Sequence, residues 1–151
     1  RSYSVTGVQT CALPIYWLER FFKQANLGSK EITERFMEMG KNIGATYVKE
    51  INPAISNISL LIEDLYQITV KSKVKIDIKG NQVRVTDEKC ALCKYQYNDI
   101  DVAGCTISMA MVGEMLERLG FPISSMNVVK SKCFGDEVCA HQFELSPKGS
   151  K

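Results

Sequence analysis

The chain holds a single histidine, His141, and a single tryptophan in 151 residues. No Ser/His/Asp set, phosphate-binding glycine loop or dinucleotide fingerprint can be read in it. Neighbouring carboxylates occur as Glu63-Asp64, which falls on a helix face. Enzyme chemistry built on these devices therefore has no support. Charge of one sign is also missing: 19 basic residues stand against 17 acidic ones, a net charge of +2. Electrostatic nucleic-acid binding needs a basic face, which so even a balance does not provide. Lys71, Lys73, Lys75 and Lys79 do cluster, but they alternate with apolar residues and read as the wet face of a strand. No run approaches the roughly 18 apolar residues of a membrane span. There is no internal repeat, and of the ends only residues 146–151, Ser-Pro-Lys-Gly-Ser-Lys, read as a disordered tail.

Cysteine is what the chain has in quantity. Cys90 and Cys93 form a Cys-x-x-Cys pair, Cys105 follows alone, and Cys133 and Cys139 bracket Phe-Gly-Asp-Glu-Val. The sixth, Cys11, stands apart, in a segment set aside here. Residues 1–15 resemble the conceptual translation of a sequencing adapter, matched residue for residue from Val5 to Ile15. The expectation is a metagenomic open reading frame whose natural N-terminus is missing, with residues 1–15 outside the fold. A signal peptide fits poorly, because Gln9, Thr10 and Pro14 interrupt the apolar stretch. The domain organisation expected is thus a non-native 1–15, one domain over 16–145, and the tail. Five remaining cysteines are an odd number, which forbids a fully paired disulfide framework. A reducing, cytoplasmic compartment follows as the expectation, where clustered cysteines are more often metal-binding or catalytic.

The apolar pattern orders the elements. Trp17, Leu18, Phe21 and Phe22 predict an opening helix closed near Asn26 and Gly28. Ser29 is placed to cap a long second helix carrying Ile32, Phe36, Met39, Ile43, Tyr47 and Ile51 at steps of three and four. Gly40 and Gly44 lie on adjacent turns, where another backbone can come close. Asn52-Pro53 predicts the start of a third helix, with Ile55, Ile58, Leu61, Ile62, Leu65 and Ile68 inward. The period then falls from about 3.6 to about 2. Val74, Ile76 and Ile78, a Gly80-Asn81 turn, and Val83 and Val85 predict a hairpin. A polar loop from Lys94 to Gly104 leads to a helix over 106–119, stopped by Gly120 and Pro122. A second hairpin, 124–132 with 140–145, closes the chain. The class is α+β: an antiparallel sheet of two hairpins with helices on one face.

Three readings of the cysteines compete. Two close pairs and a single can build a four-thiolate metal site from tight turns, and soft sulfur ligands without a carboxylate cluster favour zinc, an iron–sulfur cluster being the lesser option. A thioredoxin-like dithiol normally opens a helix after a parallel strand, whereas Cys90-x-x-Cys93 follows a hairpin. Lastly, free cysteines often serve as small buried hydrophobes. Four places for five candidates leave one sulfur over, either Cys90 or Cys93. His141 follows Cys139 by two residues and can ligate, although a lone histidine on a terminal strand is more often at the surface.

The stretch from Cys93 through Cys105, the apolar helix ending Leu119-Gly120, and Lys132-Cys133-Phe134-Gly135-Asp136-Glu137-Val138-Cys139 with Phe143 resembles the 4-vinyl-reductase-type domain family. The resemblance covers the C-terminal third; the earlier helices and hairpin fit its layout loosely. It implies a ligand-binding fold like that of hydrocarbon-binding proteins, aromatic-sensing regulator domains and TRAPP-type tethering subunits. In the sensors a zinc sits beside the pocket, and its ligands would fall on Cys105, Cys133 and Cys139. The sensors' glutamate position is Lys130 here, which cannot ligate, so Cys90-x-x-Cys93 is its natural replacement. The expected function is binding of a small apolar molecule, a hydrocarbon or aromatic, with structural zinc, in a pocket under the long helix lined by Phe36, Met37, Tyr47, Met111 and Met115. The alternatives are a cysteine-bearing enzyme related to vinyl reductase accessory proteins or thiazoline-ring hydrolases, and a homodimeric interaction platform without ligand. Four sulfur ligands favour structure; three plus solvent favour chemistry.

Overall fold

A computed structural model describes residues 7–54 and 56–147, with side chains from residue 14 onward. Four helices and four strands follow in the order α1 (Gly7–Gln24), α2 (Ser29–Ile51), α3 (Ile58–Thr69), β1 (Lys75–Lys79), β2 (Gln82–Asp87), α4 (Thr106–Arg118), β3 (Ile123–Lys130) and β4 (Cys139–Leu145), with a 3₁₀ turn at Lys132–Phe134. The class is α+β, as the periodicities predict. Both hairpins form, and they join through their second strands into one four-stranded antiparallel sheet of order β1-β2-β4-β3. The last strand is therefore central. Val83, Val85, Cys139, His141 and Phe143 point to its buried face.

α4 lies against that face and is buried nearly all round, from Thr106 to Gly113 and again at Met115 and Leu116. A helix apolar on every side belongs in an interior. α2 covers it through a stripe of Ile32, Phe36, Gly40, Gly44 and Tyr47. The two glycines work as the sequence suggests: a Cβ on Gly40 would stand 2.1 Å from the Ile107 carbonyl oxygen, and one on Gly44 2.4 Å from that of Met111.

Some boundaries differ from expectation. Gly28, not Ser29, is the N-cap of α2. Asn52 does not start α3: it ends α2 in the left-handed region at φ 48°, which asparagine tolerates. α3 begins later, capped by Asn57, whose side chain accepts the Leu60 amide at 3.1 Å. Tyr66 takes the inward place given to Ile68, which is exposed, and Ile55 lies outside the described residues. The opening helix reaches back to Gly7 with Pro14 inside it, and Ile15 is buried. A boundary after Ile15 thus falls within a helix. The tail beyond residue 147 is likewise outside the described residues.

Candidate metal centre

Five sulfurs reach one end of the sheet from separate parts of the chain. Cys90 and Cys93 lie in the turn after β2, Cys105 is the N-cap of α4, Cys133 sits in the 3₁₀ turn, and Cys139 opens β4. Register makes the meeting unavoidable, because Asp87 at the end of β2 pairs with Cys139. All five thiols are free and buried. The sulfurs of Cys90, Cys93 and Cys139 lie within 4.8 Å of one another, and no imidazole nitrogen or carboxylate oxygen among the described residues joins that group. Cys105 and Cys133 stand outside that group: the Cys105 thiol meets the Ser131 hydroxyl at 3.8 Å, and the Cys133 sulfur meets the Tyr16 hydroxyl at 3.7 Å.

The polar groups around the sulfurs are donors. The Cys105 amide points at the Cys93 sulfur at 3.2 Å, the Lys132 amide at that of Cys139 at 3.4 Å, and the Ser131 hydroxyl at that of Cys93 at 3.5 Å. Donors aimed at sulfur offset part of the cost of burying a thiolate, since hydrogen bonds to the charged form favour it. Hydrogen bonds from Cys105, Cys90 and Cys93 hold the Cys139 thiol well below its ordinary range, and the one from Cys93 brings Cys133 down to about 7. The remaining three are pushed up: Cys90 mainly by its hydrogen bond with Cys105, Cys93 by burial, and Cys105 by its hydrogen bond with Cys139. The arrangement is a compact cluster of buried thiols whose protons a metal ion must displace. A soft cation entering it would take the place of those protons.

A second layer fixes the first. Ser131 is buried; its hydroxyl accepts the Cys133 amide at 3.2 Å, and its own amide is bound by Asp136 Oδ2 at 2.9 Å. From α1, the Tyr16 hydroxyl stands 3.7 Å from the Cys133 sulfur, donates to the Tyr95 carbonyl and accepts the Tyr95 amide. Glu19 Oε1 accepts the amides of Asp101 at 2.8 Å and Val102 at 2.9 Å, tying α1 to the loop before Cys105. On the core side, Tyr66 and His141 meet at 3.5 Å between hydroxyl and Nδ1. Burial pulls His141 down to about 4, so it is neutral, and its Nε2 has no hydrogen-bond partner. The expectation of a surface histidine fails because β4 is flanked on both sides. Ser131, Glu19, Tyr16 and Tyr66 carried no sequence signal, since each owes its role to a partner distant in the chain.

The five cysteines named from sequence all come together; the five expected pocket residues do not. Phe36 packs in the core cluster that includes the cysteines, Tyr47, Met111 and Met115 in a second cluster, and Met37 lies at its margin. Phe36, Met111 and Met115 are 0–1 % exposed and act as core. Tyr47 alone of the five borders the groove between α2 and α3, of about 360 Å³, lined by Asn42, Ile43, Thr46, Glu50, Ile51, Ile68 and Thr69.

No family model matches the chain, and no curated protein matches it. Solved structures do. A trafficking protein particle complex subunit 3 from Naegleria fowleri, covalently bound to palmitic acid, is 9% identical, with a TM-score of 0.67 over 93% of this chain and 95% of that one. An H-NOX protein from S. oneidensis matches in two structures. In the Fe(II)NO ligation state it is 11% identical, with a TM-score of 0.57 over 88% of this chain and 74% of that one. In the Fe(II) ligation state, as the Q154A/Q155A/K156A mutant, the figures are 9%, 0.55, 85% and 69%. At such identities the likeness is one of fold. The buried cysteine group of this chain can hold a metal ion.

Proposed function

We propose that the chain is a small-molecule-binding domain of the 4-vinyl-reductase type whose sheet end is fastened by thiolate-bound zinc. The observation that carries it is the buried Cys90–Cys93–Cys139 group, ringed by donors and without a nitrogen or oxygen ligand. With Cys105 or Cys133 supplying a fourth sulfur, no position is left for water and the metal is structural. The ligand is apolar and lies in the α2–α3 groove, where Ile43, Ile51 and Ile68 are exposed side by side. The fold neighbour that holds palmitic acid supports an apolar ligand class.

Elemental analysis with native mass spectrometry, on protein purified without added metal, is expected to find one zinc per chain. A thermal-shift screen of hydrocarbons and aromatics is expected to find stabilisers, and at a hundred times its Kd a true ligand adds about 2.7 kcal/mol. Thr46→Arg, which narrows the groove, should abolish that gain. Metal-free protein that melts like the zinc form would end the zinc reading; a screen with no stabiliser would end the ligand reading.

A further inference from the structure

The first residues of two helices meet at one cleft. Ser29 opens α2 and Thr106 opens α4, and both line a hollow of about 280 Å³ bounded by Lys130, Ser131 and the 3₁₀ turn. We infer that this cleft binds a small organic carboxylate, its charge held between the two helix starts and Lys130, its apolar body against Phe134 and Val129. The site is separate from the α2–α3 groove and needs no metal, so it stands or falls apart from the function proposed above.

Thr106 is 5 % exposed, and its amide bonds the Ala103 carbonyl at 3.0 Å, but its hydroxyl has no partner among the described residues. Among those residues the fully enclosed polar atoms without a partner are Glu19 Oε2 and His141 Nε2, so the Thr106 hydroxyl opens on the cleft that it lines. A nearly buried hydroxyl costs stability unless something bonds it. Ser131 is not free in this way, since its hydroxyl serves the Cys93 sulfur and the Cys133 amide. At α2 the N-cap Gly28 contributes no side-chain hydrogen bond, and Glu31, which leans back over Gly28, does not line the cleft. The positive end of that helix dipole is therefore available to an anion.

The charges set the ligand class. The Lys130 ammonium forms no ion pair among the described residues. Of the two carboxylates that line the cleft, Asp101 is paired with Lys23 at 2.9 Å and Asp136 accepts the Ser131 amide at 2.9 Å. One free cation and two partly positive helix ends suit a single negative charge, whereas a phosphate dianion would meet both carboxylates. Phe134, 53 % exposed, and Val129, 40 % exposed, add apolar surface on the same cleft. That surface favours a carboxylate with a hydrocarbon body.

Sodium benzoate is the probe, titrated into isotope-labelled full-length protein with amide chemical shifts as the readout. Saturable shifts are expected at Ser29, Thr106 and Lys130, and neither benzyl alcohol nor sodium phosphate at the same concentrations should produce them. Thr106→Val keeps the shape and removes the hydroxyl. Affinity should then fall about 10–100-fold, the worth of one hydrogen bond to a charged group. Its melting temperature without benzoate should not fall, because the hydroxyl removed is unpaired. Lys130→Met should weaken binding a few-fold, and added salt likewise, because that charge is exposed. Benzoate that binds Thr106→Val as tightly as the parent overturns the site. So does a titration without saturable shifts, or phosphate bound as well as benzoate. Shifts confined to the α2–α3 groove overturn it while supporting the groove. Should Thr106→Val fail to fold, Lys130→Met and the benzyl alcohol titration decide.

Discussion

Ser131 has one hydroxyl, and three cysteines use it: the sulfur of Cys93 at 3.5 Å, the thiol of Cys105 at 3.8 Å and the amide of Cys133 at 3.2 Å. Ser131→Ala keeps the shape and removes the donor, so zinc affinity should drop about 10–100-fold while every ligand stays in place. Chelator competition measures it, and an unchanged affinity would deny Ser131 a role at the metal. Glu19 holds the loop before Cys105 to α1. Burial first, and repulsion from Asp101, hold its carboxyl above the usual range against the amides of Val102 and Asp101 and the charge of Lys23; Arg20 and Asp99 pair beside it. A carboxyl whose folded pKa is raised keeps its proton longer folded than unfolded. Its ionisation therefore costs stability, and that cost grows as pH rises from about 4 through the raised value. Glu19→Gln retains the acceptor for both amides and removes the charge. Its gain over the parent in urea unfolding should be least near pH 4 and greatest at neutral pH, and a gain independent of pH would contradict this. Neither residue stood out in the sequence. The cysteines did, because paired thiols at turn spacing are informative without any knowledge of what they face.

At the level of elements, α4 is the hub: it meets the sheet on one side and α2 on the other, and its cap is Cys105. Gly40→Ala tests how closely α2 must lie. The added Cβ would meet the Ile107 carbonyl at 2.1 Å, the Ala110 Cβ at 2.7 Å and the Met111 amide at 2.9 Å, and backbone cannot yield as a side-chain tip can. Overpacking costs about 1–3 kcal/mol, against roughly 1 kcal/mol gained from alanine's helix propensity, so the variant should be net destabilised. The melting temperature should fall, by about 2–4 °C for each net kcal/mol. A variant melting at or above the parent would show that the helices stand further apart. The helices and hairpins were legible because their periods are local. Asn52 was misread because an asparagine can as well end a helix in the left-handed region as begin the next, and Asn-Pro does not say which.

For the whole molecule, the thiol cluster ties β2, α4, β4 and the turns between them at one end. Removing zinc with a chelator should lower the melting temperature and unprotect the β4 amides in hydrogen exchange, because binding free energy is folding free energy when the site exists only in the fold. The chain's start is a second test. Ile15 packs in the core cluster, its Cγ2 3.2 Å from where a Gly104 Cβ would stand, and Tyr16 touches Cys133. A chain starting at Ile15 is expected to melt with the full chain and one starting at Trp17 well below it; equal melting of all three would place α1 outside the cooperative unit. Sequence by itself determined the α+β class, both hairpins, the helix that follows Cys105 and the five cysteines, since each follows from residue type and local period. Tertiary structure alone decided that the last strand lies in the middle of the sheet. That placement buries His141 and brings Cys139 beside Cys90 and Cys93. It also decided that the large side chains of α2 and α4 fill the core, because strand order and helix separation depend on contacts between residues far apart in the chain.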